Sequence, residues 1–258
     1  MNYNYHTHTI LCNHAWGTCE EYIKRAIDSG IKYMGFSEHV PFIFPDGSES
    51  FYRLHTAEVE VYFFELYRLR EKYKDQIEIK IGFEMEYHPI YFDEMLSCAK
   101  RYGAEYLILG QHFINQKAGN GDGLYVLLKN CSYDDLSEYV NCIVNGIKSG
   151  VFSYVAHPDI FNYIGENEFY NKQMTKLCVA SREYNIPLEI NFLGIRERRA
   201  YPDRRFWEIA GEERCPVIFG FDAHDKNSAC DLKSLETAKL LVREYNLKYI
   251  GKPRIISI

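Results

Sequence analysis

Short strand-like runs alternate with longer amphipathic helical runs about seven times along this chain, and that rhythm constrains its fold more than any other feature. Strand candidates are Asn2–His6, Tyr33–Ser37, Glu78–Phe83, Tyr106–Gly110, Phe152–Ala156, Pro187–Ile190 and Val217–Phe221, with Tyr249–Ile258 as a terminal strand candidate. Helical periodicity runs from Thr18 to Ser29 and over Thr56–Tyr73, Tyr91–Tyr102, Ser132–Ser149, Tyr170–Tyr184, Asp203–Glu213 and Leu232–Tyr245. Thr18 and Ser132 are N-cap residue types with acids in the first turn, and Gly30 is a stop signal. Strands regularly separated by helices fold as parallel βαβ units in one sheet or barrel, an α/β class. The 258 residues show no composition break, linker or repeat, so a single domain over 1–258 is expected. Pro41–Leu54, with its Pro45-Asp46-Gly47 turn, and Lys117–Gly123 read as loops.

The metal-binding residue types fall at one end of the strands. His6, His8, His39, Glu84, His112, His157, Asp222 and His224 each sit at the C-terminal end of a strand candidate, and His14 lies in the first loop of the same rim. In β/α barrels that rim carries the chemistry. His6 and His8, at i and i+2, point to one side of a strand and can share an ion. Histidine nitrogens with a few carboxylates suit Zn, Fe or Mn better than Mg or Ca. So many ligands exceed the needs of one four-coordinate ion, which implies two or three ions with a bridging carboxylate. Such a cluster polarises a phosphoryl oxygen and supplies hydroxide near neutral pH, which points to metal-assisted hydrolysis of a phosphate ester. His55 and His88 fall outside the pattern, and Cys12 is a further, weaker ligand candidate.

The remaining composition narrows the partners. A net charge of -6 offers no basic field for nucleic acid. No apolar run is long enough to span a bilayer, so no membrane partner is expected. The polar start suggests no signal peptide, and eight scattered cysteines read as reduced thiols, together indicating a cytoplasmic protein. Oligomeric state is left open.

The stretches His6-Thr7-His8, Ser37-Glu38-His39, Gly82-Phe83-Glu84, Gly110-Gln111-His112, Ala156-His157-Pro158-Asp159 and Phe221-Asp222-Ala223-His224 together resemble the PHP (polymerase and histidinol phosphatase) family. The resemblance implies a distorted (β/α)7 barrel holding three divalent transition-metal ions. By that resemblance His6, His8, Glu84 and Asp222 hold the first ion. Glu84, His112 and His157 hold the second, with Glu84 bridging, and His14, His39 and His224 hold the third. Catalytic roles fall to Glu84 as bridge and to Asp222 or His224 in protonating the leaving alkoxide.

Within the family, the length and the segment Leu188–Arg196 look most like the histidinol-phosphate phosphatases, which implies a phosphomonoesterase acting on L-histidinol phosphate in histidine biosynthesis. A different small phosphate ester, or metal binding without this activity, are the alternatives. An arginine after that strand would bind the substrate phosphate through its bidentate fork. Arg196 is the first choice, Arg198 or Arg199 the second, with Asn191 beside them. Ile160-Phe161-Asn162-Tyr163 stands where some histidinol-phosphate phosphatases place a second arginine. Glu38 and Asp159 are expected to orient the neighbouring imidazoles.

Overall fold

The computed structural model describes residues 1–115 and 121–258. Its strands are β1 (Tyr3–Asn4), β2 (Tyr33–His39), β3 (Glu78–Met85), β4 (Leu107–Leu109), β5 (Phe113–Ile114), β6 (Leu124–Tyr125), β7 (Phe152–Val155), β8 (Leu188–Asn191), β9 (Pro216–Gly220) and β10 (Lys248–Tyr249). Its helices are α1 (Cys19–Asp28), α2 (Val59–Tyr73), α3 (Phe92–Tyr102), α4 (Tyr133–Ser149), α5 (Asn167–Tyr184), α6 (Phe192–Glu197), α7 (Arg204–Glu212) and α8 (Leu232–Glu244).

Eight strands form one parallel sheet in the order β1-β2-β3-β4-β7-β8-β9-β10. The sheet curls until its ends meet at the C-terminal rim. There Thr7, just past β1, bridges Ala223, just past β9. His8 N donates to Ala223 O at 2.9 Å and Ala223 N to His6 O at 3.1 Å. Lower down, the Tyr3 hydroxyl spans the seam by accepting from Phe219 N at 3.3 Å. Seven strands thus make a distorted (β/α)7 barrel, and β10 lies outside the ring on β9.

Alternation along the strands builds two cores. Outward residues such as Phe36, Ile81, Leu109, Ile190 and Val217 join the helices in the larger one. Inward residues Tyr3, Tyr5, Tyr106, Ile108, Tyr154, Ala156 and Ile218 fill the barrel floor. Part of the high aromatic content is therefore a plug beneath the rim. Several helices start where the sequence signals them, while α5 begins at Asn167, ahead of the expected Tyr170, and α2 at Val59, after a 3-10 turn over Thr56–Glu58. Thr18 and Glu21 form a reciprocal capping box on α1, and Ser132, Asp203 and Asp231 cap α4, α7 and α8.

Several expectations change. The segment after β8, where no helix is expected, forms the short helix α6, capped by the Asn191 side chain on Gly194 N. An antiparallel hairpin, β5 with β6, follows His112. Of the expected loop Lys117–Gly123, residues 117–120 lie outside the described residues, and Gly121 to Gly123 lead into β6. Beyond β10 the tail is not a strand: Ile255 packs onto the barrel floor and Ile256 N donates to Ser153 Oγ at 3.0 Å.

Candidate metal centre

The barrel brings every rim ligand candidate into one cluster. His6 Nε2 and His8 Nε2 lie 3.4 and 3.3 Å from Glu84 Oε2, and 3.5 and 3.4 Å from Asp222 Oδ1. None of these four buried atoms has a hydrogen-bond partner among the described residues. A buried polar atom without a partner costs free energy, and four converging on one point form a donor set that could hold a cation. On the far side of Glu84, Oε1 lies 2.9 Å from His157 Nε2 and 3.7 Å from His112 Nε2. Glu84 therefore offers one oxygen to each of two donor sets, the geometry of a bridge.

His14, His39 and His224 also meet, with His8 among them. The His8 ring centre is 4.4 Å from those of His39 and His224, and His14 is 4.8 Å from His224. The donors of His8, His39 and His224 could hold an ion together, as could those of Cys12, His14 and His224. Burial pushes the Cys12 thiol up to about 12, so this candidate remains protonated unless a metal displaces the proton.

Neighbouring groups fix which nitrogen each imidazole presents. His6 Nδ1 faces the Glu189 carboxylate at 2.9 and 3.1 Å, so it carries the hydrogen and leaves Nε2 as ligand. His14 Nδ1 donates to Cys12 O at 2.6 Å and His224 Nδ1 to Asp222 O at 3.2 Å, freeing both Nε2 atoms. Glu38 lies 3.4 Å from His8 Nδ1 and accepts from Thr9 N, the Thr9 hydroxyl and His39 N. It thus orients His8, not the His39 ring expected from adjacency. Asp159 does not orient His157: its Oδ2 accepts from Asp203 N at 2.7 Å and Trp207 Nε1 at 2.8 Å.

Burial alone would raise the carboxyls of Glu84 and Asp222. The surrounding imidazoles, led by His112 for Glu84 and His6 for Asp222, outweigh it and hold both well below the usual carboxylate range. The backbone is strained at two of the rim residues. His157 and Asp222 have φ of 33° and 46°, a region that costs non-glycine residues energy and that clusters at functional sites.

The cluster floors a cavity of about 280 Å³, sized for a small metabolite. Its walls include Tyr52, Arg53, Glu86, Phe113, Tyr125, Ile160, Leu193, Glu197, Arg199 and Tyr201. The structure reorders the arginine candidates. Arg196 is turned away, to Asp231 Oδ2 at 3.3 Å and Asp222 O at 3.4 Å, and does not line the cavity. Arg198 ends α6 in the left-handed region at φ 54°, outside the lining. Arg199, the next residue, is the member of the trio on the wall, paired with Glu197 at 2.7 Å. Asn191 is committed elsewhere: its Nδ2 donates to Glu189 and Asp222, and its Oδ1 caps α6.

Three residues escaped the sequence reading. Glu189 is fully buried and accepts from His6, from His157 N and from Asn191. An acid inside the apolar run of β8 was its available signal. Glu86 follows Glu84 by two residues, so strand alternation puts both on the inner face. Arg53 is its buried partner from the loop after β2.

A parallel β/α barrel whose C-terminal rim gathers histidines and carboxylates around a small cavity defines a class of metal-dependent hydrolases. The PHP domain model matches residues 4–192, and the chain belongs to the PHP family. It is 26% identical to the histidinol-phosphatase of Bacillus subtilis, covering 85% of this chain and 92% of that protein. It is 24% identical to a probable histidinol-phosphatase of Deinococcus radiodurans, covering 85% of each. In fold it is similar to the histidinol phosphate phosphatase of Lactococcus lactis, solved in complex with zinc, L-histidinol and phosphate. That match has a TM-score of 0.71 and 19% identity over 96% of this chain and 95% of that one. Among the described residues, no helix is long and apolar enough to cross a membrane.

Proposed function

We propose that this chain is, over its whole length, a metal-dependent phosphomonoesterase that hydrolyses L-histidinol phosphate to L-histidinol and phosphate. The observation that carries the reading is the set of partnerless buried atoms, His6 Nε2, His8 Nε2, Glu84 Oε2 and Asp222 Oδ1, beneath a small cavity with an arginine on its wall. The names of the curated relatives support the substrate.

His6, His8, Glu84 and Asp222 would hold one ion, Glu84, His112 and His157 a second, and His14, His39 and His224 a third, with Zn, Fe or Mn all compatible with these donors. When bound, such ions polarise the phosphoryl oxygen and make water a nucleophile near neutral pH. The chain's own groups do the rest. Arg199 binds the phosphate through charge-assisted hydrogen bonds from the wall. Glu189 and Glu38 hold His6 and His8 in register. Asp222, kept ionised, accepts a proton from the attacking water and returns it to the leaving alkoxide, so the proton count closes. His224, whose Nδ1 lies 3.3 Å from Asp222 Oδ1, is the alternative carrier. Eight free cysteines, with no disulfide among them, fit work in a reducing cytoplasm. The partner is a small phosphate ester and not a nucleic acid, in keeping with the net charge of -6.

The test is phosphate release by the purified protein from L-histidinol phosphate, compared with AMP, glucose 6-phosphate and p-nitrophenyl phosphate. The reading expects a clear preference for histidinol phosphate. Equal rates on all four esters would refute the substrate, and no release from any would refute the phosphatase.

A further inference from the structure

The cavity has a second cation that the mechanism above leaves unused. Arg53 lies in the loop between β2 and α2, lines the same cavity as Arg199, and is 3% exposed. A guanidinium this deep must be paired, and it is: one Nη2 hydrogen goes to Glu86 and Nε donates to Asp122 Oδ1 at 3.1 Å. Burial would lower its pKa, but the two acids outweigh that and raise it, so the charge is permanent. Two of its five N–H groups are thereby committed. Nη1 donates to no described residue, and it is not enclosed beyond reach of solvent as the partnerless atoms of the metal cluster are.

Its position relative to the ions is set by one imidazole. Glu86 Oε1 lies 3.7 Å from His112 Nδ1, and the opposite nitrogen of that ring lies 3.7 Å from Glu84 Oε1. Arg53 therefore stands one carboxylate and one ring away from the bridging carboxylate. Arg199 reaches the cavity from beyond α6, a separate segment of the chain. The wall near His157 contributes the apolar Ile160. A phosphate dianion resting on the cluster has three peripheral oxygens, and one arginine cannot serve all of them.

We propose that Arg53 is a phosphate-binding residue, its free Nη1 edge holding a substrate phosphoryl oxygen from the loop between β2 and α2, with Glu86 and Asp122 serving to fix the fork. This rests on the phosphatase reading but not on histidinol phosphate being the ester. An arginine that served only to neutralise Glu86 would have no influence on phosphate itself.

Inorganic phosphate and L-histidinol are titrated separately into the metal-loaded protein by calorimetry, for wild type, Arg53→Met and Arg53→Lys, with metal content measured on the same samples. The proposal expects phosphate affinity to fall on the order of 10- to 100-fold in Arg53→Met, with histidinol affinity and metal content unchanged. Arg53→Lys keeps the charge and loses the fork, and is expected to show a smaller loss of phosphate affinity; it serves as the deciding variant if Arg53→Met does not fold. Unchanged phosphate affinity in a folded, metal-loaded variant would overturn the proposal. So would phosphate and histidinol weakening together, since that marks a collapsed wall. If wild type shows no preference for histidinol phosphate while phosphate binding still depends on Arg53, the substrate reading fails and this assignment stands.

Discussion

Replacing Glu189 by glutamine isolates one of the two acids that the sequence reading overlooked. Its carboxylate receives three donors: His6 Nδ1–H, His157 N–H and Asn191 Nδ2–H. Oε1 faces only His6, at 2.9 Å, while Oε2 faces His157 N, Asn191 and, at 3.1 Å, His6 as well. Glutamine has one acceptor oxygen and one NH2 in the same flat shape. If the NH2 takes the Oε1 position, it meets the His6 hydrogen; in the Oε2 position it meets the other donors. The group cannot swing aside, because a Cβ at Gly220 would already sit 1.5 Å from Oε1, which shows how closely backbone approaches it. In either orientation at least one buried donor is left facing an N–H group or crowded onto a shared oxygen, at a cost of about 1–3 kcal/mol. Because the disturbed donors belong to two candidate ligands, part of that cost falls on metal binding, where losing an orienting partner typically costs about 10- to 100-fold in affinity. The assay is competition for zinc against a chelating dye, with urea denaturation of the metal-free protein in parallel. Weakened zinc binding together with a modest stability loss is expected. A stability loss with zinc affinity unchanged would refute the reasoning and make Glu189 a structural acid alone.

Other changes separate neighbouring residues. Arg199→Ala should lower kcat/KM on the order of 10- to 1000-fold, while Arg196→Ala, bound to Asp231 and a carbonyl, should change it by less than about threefold; steady-state kinetics on both decides, and the reverse order would restore Arg196 to the site. Gly110→Ala places a Cβ 1.8 Å from Glu84 Oε1, so the bridge must move, and the variant should fold yet bind fewer ions by mass spectrometry. Asp231 caps α8, and although burial would raise its carboxyl, Ser234 and then Arg196 hold it low. A depressed folded pKa gives stability that is present above the unfolded value and lost as pH falls through the folded one. Asp231→Ala should therefore cost about 1 kcal/mol at pH 7, and the deficit should narrow below about pH 4 in denaturation series.

Much of the site could be read in advance because strand chemistry is local. A histidine or acid closing each apolar run lands on one rim once the strands are parallel, so His6, His39, Glu84, His112, His157 and Asp222 needed no tertiary information beyond that. What escaped depends on distant pairing or on short elements. Arg53 reads as a loop cation until Glu86, just past the end of β3, meets it. Residues 192–197 are too few to show helical periodicity and contain Gly194, so α6 was invisible. That missing turn misplaced the arginines: an α-helix rotates about 100° per residue, and Arg196 is carried off the wall while Arg199, beyond the helix end, returns to it. The two-residue strands of the β5–β6 hairpin are likewise too short to alternate. Asp159 was assigned to His157 by adjacency, and Trp207, 48 residues on, claims it instead.

The claim that the rim residues act as one polynuclear centre is tested most directly by adding zinc stepwise to the metal-free protein and following phosphate release from L-histidinol phosphate at each ratio of ion to chain. Turnover should be absent without metal and should appear only as a second ion binds. Full turnover in the metal-free protein, or at a single ion per chain, would contradict it.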